Sequence, residues 1–261
     1  RWEVTSLTRF LPAFAMLEER VLLAAQPVVT VGGDLQPLIG EQAQLTITFD
    51  NQPDGTPGSA VGYAPYVDLI LPQNGADGAG TGSTPPNEND GVSFVSASYL
   101  GASLSATVLE FDANGQATHP FARDATGALR VVNAADYGAA AGDQLVVLRL
   151  PFGSFVPEQP TASIQVTVDV SALADLNTPL PVTAVGGFAF GGDALDNPTA
   201  DPPVLGTPVT APITPLLFTV GKVFDGAEGE TATGPNFQRS YTISLDLATG
   251  QSVTNASLLD T

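Results

Sequence analysis

The sequence predicts an all-β protein built around an antiparallel β-sandwich of the Ig-like or jelly-roll type. Three observations favour this class. Almost every apolar run is short and rich in β-branched residues, several runs alternate apolar with polar residues, and 27 Gly and 22 Pro punctuate the runs. Period-two alternation places one face of a strand in a core and the other in water. Many short strands with such spacing are typical of a sandwich.

The strands are predicted from this alternation and the turns from the residues between the runs. Asp-Ala-Asn-Gly (112–115), Asp-Ala-Thr-Gly (124–127) and the segment 139–143 carry turn residues. Only residues 7–25 have the pattern of a helix, because good helix formers there place Leu, Met and Val at three- to four-residue spacing. The predicted strands cover residues 44–50, 66–72, 91–100, 103–111, 128–132, 144–152, 163–170, 181–190, 214–224 and 239–247.

We expect three parts in the chain. Residues 1–25 form a short N-terminal helical segment for export or processing, and residues 26–215 form the sandwich, which ends in an acidic, Pro-rich linker at 191–215. Residues 216–261 begin a second Ig-like β domain. Because a sandwich usually takes about 100 residues, we expect either that chain beyond Thr261 completes this second domain or that residues 216–261 pair with another part of the protein.

Charge and composition exclude several classes of function. The chain has 27 acidic and 8 basic residues and a net charge of −19, which repels nucleic acids and anionic lipid headgroups. Cysteine is absent, which excludes disulfides, thiolate metal sites and a cysteine nucleophile. The sequence contains no apolar run long enough for a membrane-spanning helix. The acidic balance suits solubility and the binding of cations.

The first candidate metal site lies in the segment GGDALDNPTAD (191–201). Asp193, Asp196, Asn197 and Asp201 offer several of the six to eight oxygen ligands that calcium prefers. Their spacing does not follow the EF-hand rule. A solvated linker in which the Asp side chains cap turns is the favoured alternative.

A second polar loop, residues 72–91, offers a similar choice. Asn74, Asp77, Asn87, Glu88 and Asp90 supply oxygen atoms. Ordering its Gly-, Ser- and Pro-rich sequence costs conformational entropy. We therefore interpret this loop as a solvated connection.

Catalysis has few candidate residues. His119 is the single histidine and would have to be the base of any Ser–His–Asp triad. The sequence contains no Gly-x-Ser-x-Gly elbow of the kind that carries a serine nucleophile. One His without any Cys provides too few ligands for a typical zinc site. No pattern in the sequence marks two carboxylates that would lie together as in a glycosidase. We interpret His119, which precedes Pro120, as a surface residue and predict that the protein is not an enzyme.

Aromatic side chains and the single lysine raise two further hypotheses. Tyr63, Tyr66, Tyr99 and Tyr137 could form a sugar-binding platform, or pack at sandwich edges with wet hydroxyl groups. Lys222, on a predicted strand of the second domain, could join an Asn in a covalent crosslink. An ordinary exposed strand lysine is the favoured interpretation.

Two segments resemble known bacterial proteins. YTISLDLATGQSVTNASLLDT (241–261) resembles the Ig-like repeats of very long bacterial surface proteins, whose signature runs from Tyr-Thr-Ile through a polar turn to Asp-Thr-Leu-Pro. MLEERVLLAA (16–25) is similar to the LEPR-xLL motif near the N-termini of giant repetitive bacterial proteins. Glu19 stands where the motif has Pro. The residues that match are Leu17, Glu18, Arg20, Leu22 and Leu23.

The resemblance implies a non-catalytic structural or adhesive module of a long bacterial cell-surface or extracellular protein. The calcium hypothesis comes from the acidic loop itself, where a bound ion would stiffen the joint at 191–203. The expected partners are other repeats of the same chain, neighbouring surface proteins or glycans. The alternative is a carbohydrate-binding module of a secreted enzyme, which would depend on Tyr63 and Tyr66.

Overall fold

The computed structural model describes residues 25–52, 61–76, 89–190, 203–224 and 241–257, which form antiparallel strands, turns and one short 3₁₀ helix. The predicted all-β class is confirmed. Within these ranges no helix is long and apolar enough to cross a membrane. The elements are β1 (Pro27–Gly33), β2 (Gln42–Asn51), β3 (Gly62–Tyr63), β4 (Pro65–Leu71), β5 (Val92–Tyr99), β6 (Ala102–Ser103), β7 (Ser105–Glu110), β8 (Gln116–Arg123), β9 (Leu129–Asn133), the 3₁₀ helix (Ala134–Tyr137), β10 (Gln144–Arg149), β11 (Ser154–Phe155), β12 (Ala162–Val170), β13 (Leu180–Phe188), β14 (Val204–Leu205), β15 (Val209–Ile213), β16 (Phe218–Phe224) and β17 (Tyr241–Leu247).

Two sheets pack face to face to form the sandwich. The first has the order β1-β2-β12-β5-β6, and the second has the order β14-β13-β4-β10-β7, with β15 also pairing with β13. Strand β2 alternates buried and more exposed residues as predicted. Between the sheets, the Phe49 ring contacts those of Phe155 and Phe188 edge-on, with centroids 5.3 and 5.5 Å away. This apolar layer is the main core.

A third layer covers the outer face of the second sheet. Strands β8 and β9 pair with each other as a hairpin, and their apolar residues form an outer core with Tyr66 and Ile70 of β4 and with Leu145 of β10. As a result, every residue of β4 is buried. Alternation predicts one face of a strand in water, and the central strands β4, β10 and β13 depart from this pattern because they are covered on both sides.

The predicted Pro-rich linker is wrong over residues 203–215. Strands β14 and β15 lie there and extend the second sheet through β13, and Ile213 is fully buried. Pro212 is exposed on this outermost strand, where a missing N–H group is tolerated. The other part of the predicted linker, 191–202, and the predicted helix up to residue 24 lie outside the described residues.

Strands β16 and β17 form a separate two-stranded sheet. Leu216 forms a parallel bridge with Leu38, and the Ala248 N–H donates to the Leu217 carbonyl at 2.9 Å. Ala248 is buried within the main core. These contacts attach the hairpin to the sandwich, and the proposed domain boundary at residue 215 stays a prediction.

Two predicted turns are confirmed and share one design. In each, Gly115 or Gly127 adopts a positive φ of 70° or 82°, which glycine adopts without steric cost. In each, the Asp side chain accepts backbone N–H groups of the same turn. Asp112 accepts from Asn114 and Gln116, both at 2.9 Å; Asp124 accepts from Thr126 at 2.8 Å and from its hydroxyl group at 2.6 Å.

These two carboxyl groups should ionise at lower pH than ordinary aspartates. The Gln116 and Asn114 amides lower the pKa of Asp112, and the Thr126 side chain and backbone lower the pKa of Asp124. A lowered pKa in the folded state stabilises the fold above the unfolded-state pKa. That contribution is lost as the pH falls through the folded-state pKa.

NMR titration of the carboxyl carbons measures the pKa values of Asp112 and Asp124 directly, with Thr126→Val as the matched variant. We expect both midpoints below the ordinary Asp value of about 3.9. The Val substitution should raise the Asp124 midpoint and leave that of Asp112 in place. Ordinary midpoints for both groups would show that the two turns lack these hydrogen bonds in solution.

Candidate functional site

The most unusual polar side chain of the described fold is Asp68, which is 1% exposed. It lies on β4, where its neighbours across the ladder are Val147 of β10 and Val185 of β13. Side chains alternate along β4, so Val67 and Leu69 belong to the main core, whereas Asp68 faces the outer layer with Tyr66 and Ile70. A buried carboxylate is costly unless it has charged or hydrogen-bonding partners.

The β8–β9 hairpin supplies those partners from both of its strands. His119 Nε2 of β8 lies 3.2 Å from Asp68 Oδ1, and the Arg130 guanidinium group of β9 contacts Asp68 Oδ2. The side chains of His119 and Arg130 are 0% and 11% exposed. One carboxylate therefore connects three strands from two layers.

An irregularity in the hairpin explains why His119 points inward. The regular pairing of β8 with β9 is interrupted between Thr118 and Arg123, a stretch that contains Pro120, which has no N–H group. The N–H groups of Phe121 and Ala122 instead donate to His119 Nδ1, at 3.3 and 2.8 Å. The imidazole thus replaces hydrogen bonds that the interrupted ladder does not make.

These contacts determine where the His119 proton lies. Because Nδ1 accepts backbone N–H groups, its lone pair is occupied, and the proton of the neutral ring is on Nε2. That N–H donates to Asp68 Oδ1. The second carboxylate oxygen, Asp68 Oδ2, accepts a hydrogen bond from the guanidinium group of Arg130, which is always charged.

Aromatic rings enclose the network. The Tyr66 ring lies 4.9 Å from the His119 ring and 5.4 Å from Phe121, measured between centroids. A Cβ atom at Gly187 of the adjacent strand would overlap the Tyr66 ring, so glycine is needed there. The Tyr66 hydroxyl lies beside Arg130 without a hydrogen bond of ordinary geometry. Burial, and secondarily the charge of Asp68, raise the pKa of Tyr66, which keeps its hydroxyl protonated.

The arrangement connects layers and leaves no reactive group facing solvent. An Asp–His pair forms part of a catalytic triad, but here both ring nitrogens are occupied by internal partners and the ring has no exposed surface. The interpretation of His119 as a surface residue is wrong. Sequence reasoning also missed Asp68 and Arg130, although a lone Asp within the apolar run YVDLILP was an available signal.

The structure does not bring the four tyrosines together. Tyr66 is buried in the outer layer, and Tyr137 packs against that same outer core. Tyr99 packs against Phe152, with centroids 5.5 Å apart, at the main core, and Tyr63 is half-buried on β3. The predicted platform of Tyr63 with Tyr66 is wrong, because the Tyr66 ring is inaccessible.

The remaining candidates are the acidic segment predicted to bind calcium and the single lysine. Asp193, Asp196, Asn197 and Asp201 lie outside the described residues, so calcium at that segment stays a prediction. Lys222 lies on β16 with an exposed side chain, its Nζ 4.5 Å from the centroid of the Tyr241 ring. In the described part of the chain no three or more His, Cys, Asp or Glu residues cluster as a metal site.

Comparisons with known proteins give no family. No family model matches the chain, and no curated protein matches it. Among solved structures, it is similar to a cohesin module from a Clostridium perfringens family 33 glycoside hydrolase, with 7% identity, 74% of this chain and 98% of that one covered, and a TM-score of 0.38.

Two further structures have a similar level of likeness. The full-length major pilin SpaD of Corynebacterium diphtheriae is 14% identical, with 79% of this chain and 39% of that one covered and a TM-score of 0.34. AvmM, which catalyses macrocyclization in alchivemycin A biosynthesis, is 13% identical, with 73% and 89% covered and a TM-score of 0.37. At these values the likenesses carry no argument about function.

Substitutions of His119 should separate its two roles. Asn keeps an acceptor near Nδ1 for the Ala122 N–H but does not reach Asp68, whereas Gln reaches Asp68 but loses that acceptor. We expect the Asn and Gln substitutions each to lower the free energy of unfolding by about 1–2 kcal/mol. The Ala substitution loses both hydrogen-bonding roles and should lower it by about 2–4 kcal/mol. Urea denaturation measures these values.

Thr118→Ala, an exposed change on the same strand, is the control and should cost less than about 0.5 kcal/mol. If His119→Ala were as mild as this control, the histidine would not be connecting the layers.

Proposed function

We propose that this protein is a non-catalytic structural module of a long bacterial cell-surface or extracellular protein, with other repeats, neighbouring surface proteins or glycans as its partners. The observation that carries the proposal is the closed Asp68–His119–Arg130 network. The chain's single histidine and a fully buried acid are used to hold one layer onto another, with no route for a substrate to either His119 nitrogen.

Two further properties support a mechanical and adhesive role. The central strands of the second sheet are packed on both faces, which adds a third layer to the sandwich. The charge of −19 keeps a protein soluble and opposes binding to nucleic acids and anionic membranes. An acidic, rigid spacer that carries binding surfaces away from a cell fits these properties, and the resemblance of residues 241–261 to repeats of surface proteins agrees with it.

A matched pair of proteins tests the non-catalytic assignment. The unchanged chain and His119→Asn are assayed side by side on polysaccharide, ester and peptide substrates, with circular dichroism to confirm that both are folded. We expect background rates in both, because the imidazole does not face solvent. Turnover by the unchanged chain at least tenfold above the variant would contradict the proposal.

The adhesive part has its own measurement. We expect the chain to bind an immobilised glycan or envelope protein from a bacterial surface, with affinity unchanged in Tyr66→Phe, because the Tyr66 ring is buried. Absence of binding across such a panel would leave a spacer without adhesion. Loss of glycan binding in Tyr63→Ala, at a half-buried ring, would instead favour the carbohydrate-binding module.

A further inference from the structure

The hairpin of β16 and β17 has one apolar and one mainly polar face. In its antiparallel register Phe218 lies opposite Leu247, and Val220 lies opposite Leu245. Residues paired in this way share a face, and side chains alternate between the faces along each strand. The face on which these residues lie, called the apolar face below, carries Phe218, Val220, Phe224, Tyr241, Ile243 and Leu245. The opposite face carries Thr219, Gly221, Val223, Thr242, Ser244 and Asp246.

The apolar face is turned toward solvent. Its six large side chains are between 37% (Ile243) and 54% (Leu245) exposed, whereas Thr219 and Gly221 on the opposite face are half-buried. A sheet with one solvated face ordinarily turns its polar side outward, and a two-stranded hairpin is only marginally stable by itself in water. Within the described residues, the apolar face is therefore open to a partner.

The two ends of the apolar face have complementary shapes. A groove of about 390 Å³ lies at one end, lined by four residues of the apolar face, Phe218, Val220, Ile243 and Leu245, and by Val253, Ala256 and Ser257 of the segment after β17. At the other end the exposed rings of Phe224 and Tyr241 lie together, with centroids 5.3 Å apart. The face thus carries both an apolar cavity and a pair of rings of the kind that fills such cavities.

The hairpin is locally neutral in a strongly acidic chain. Residues 216–224 and 241–257 contain one basic residue, Lys222, and one acidic residue, Asp246, although the whole chain carries a net charge of −19. Lys222 shares the apolar face, and its Nζ lies 4.5 Å from the centroid of the Tyr241 ring. A lysine side chain can cover apolar surface with its stem while its ammonium group stays at the rim. A second copy, which the acidic surface elsewhere repels, meets no such repulsion from the hairpin itself.

The size of the apolar face fits a small dimer interface. Half-exposed side chains of this kind sum to on the order of 500–600 Å² of apolar surface, which is near the largest patch that a monomeric protein usually exposes. Two such faces packed together would bury on the order of 1,000–1,200 Å². This area reaches the lower limit of specific protein–protein interfaces.

We propose that two copies of this chain form a two-fold symmetric dimer by packing their apolar faces together, with the two hairpins antiparallel. In this arrangement Phe224 and Tyr241 of each copy lie against the groove of the other. A two-fold interface uses the same surface on both copies, so each groove and each pair of rings is matched. The dimer does not depend on the proposed function, because only the surface of the hairpin enters it.

Sedimentation velocity of the full chain over a range of concentrations tests the dimer. We expect the 26.7 kDa chain to reach twice its mass with a Kd on the order of 10 µM. Added salt should lower this Kd, because it screens the repulsion between two acidic chains.

Two valines of β16 provide a matched pair of variants. Val220 on the apolar face and Val223 on the opposite face are 53% and 61% exposed, so neither substitution removes a buried side chain. Val220→Asp should raise the Kd of the dimer at least tenfold, because it places a charge in the apolar contact. Val223→Asp adds the same charge to the same strand and should change the Kd by less than about twofold.

The absence of cysteine allows the antiparallel arrangement to be tested by crosslinking. Phe224→Cys and Val253→Cys proteins are mixed well above the Kd and treated with a short bismaleimide. We expect the crosslink between the two variants to form faster than a crosslink within either variant alone, because each pair of rings lies against the partner's groove. Faster crosslinking of Phe224→Cys to itself would overturn the antiparallel arrangement.

Circular dichroism shows whether each variant folds. If Val220→Asp does not fold, Leu245→Asp on the facing strand decides the question, with Ser244→Asp on the opposite face as its control. A monomer at every concentration would overturn the proposal and would show that the apolar face stays open or that a segment of the same chain covers it. Equal weakening by Val220→Asp and Val223→Asp would also overturn it, because the dimer would then not use the apolar face specifically.

Discussion

The architecture depends on one constraint, the need to compensate the carboxylate of Asp68 in the middle of a sheet. Asp68 lies on β4 with strands on both sides, so its partners have to come from above the sheet. The β8–β9 hairpin provides a hydrogen bond from one strand and a cation from the other. Removing one partner of a buried ion pair leaves an uncompensated charge, which is strongly destabilising. The hairpin is therefore bound to this position on the sheet by a specific interaction.

The hydrogen bonds of the hairpin fit the same constraint. Pro120 lies where the regular ladder is interrupted, and the resulting free N–H groups of Phe121 and Ala122 turn toward the imidazole of His119. Because Nδ1 is thereby an acceptor, Nε2 is the donor that Asp68 needs. The His119 side chain thus accepts the N–H groups that the interrupted β8–β9 ladder leaves unpaired and donates to one oxygen of the carboxylate in another layer. Apolar packing around them, from Tyr66 and Phe121, excludes water from the pair.

Much of the fold could be predicted from the pattern of residues alone. The parts that could not be predicted were missed for physical reasons. Alternation located β2 and β12 because each has one face in the core between the sheets. The run YVDLILP was predicted as a strand, but its lack of alternation, which indicates burial on both faces, was not used to predict a third layer. Strand β8 was missed because Pro120 interrupts its pattern, and β15 because its prolines are typical of a linker. The Asp68 network joins residues more than 50 positions apart, and no local pattern reports such a contact.

The central claim is that the outer hairpin unfolds together with the sheet that it covers. Amide hydrogen exchange under native conditions measures this most directly, by comparing the Ala122 N–H, which donates to His119 Nδ1, with the N–H groups of β4. We predict that the opening free energies agree within about 1 kcal/mol, as for amides in one cooperative unit. Exchange of Ala122 through an opening several kcal/mol less costly than that of β4 would contradict the account, because it would show that the hairpin detaches while the sheet remains folded.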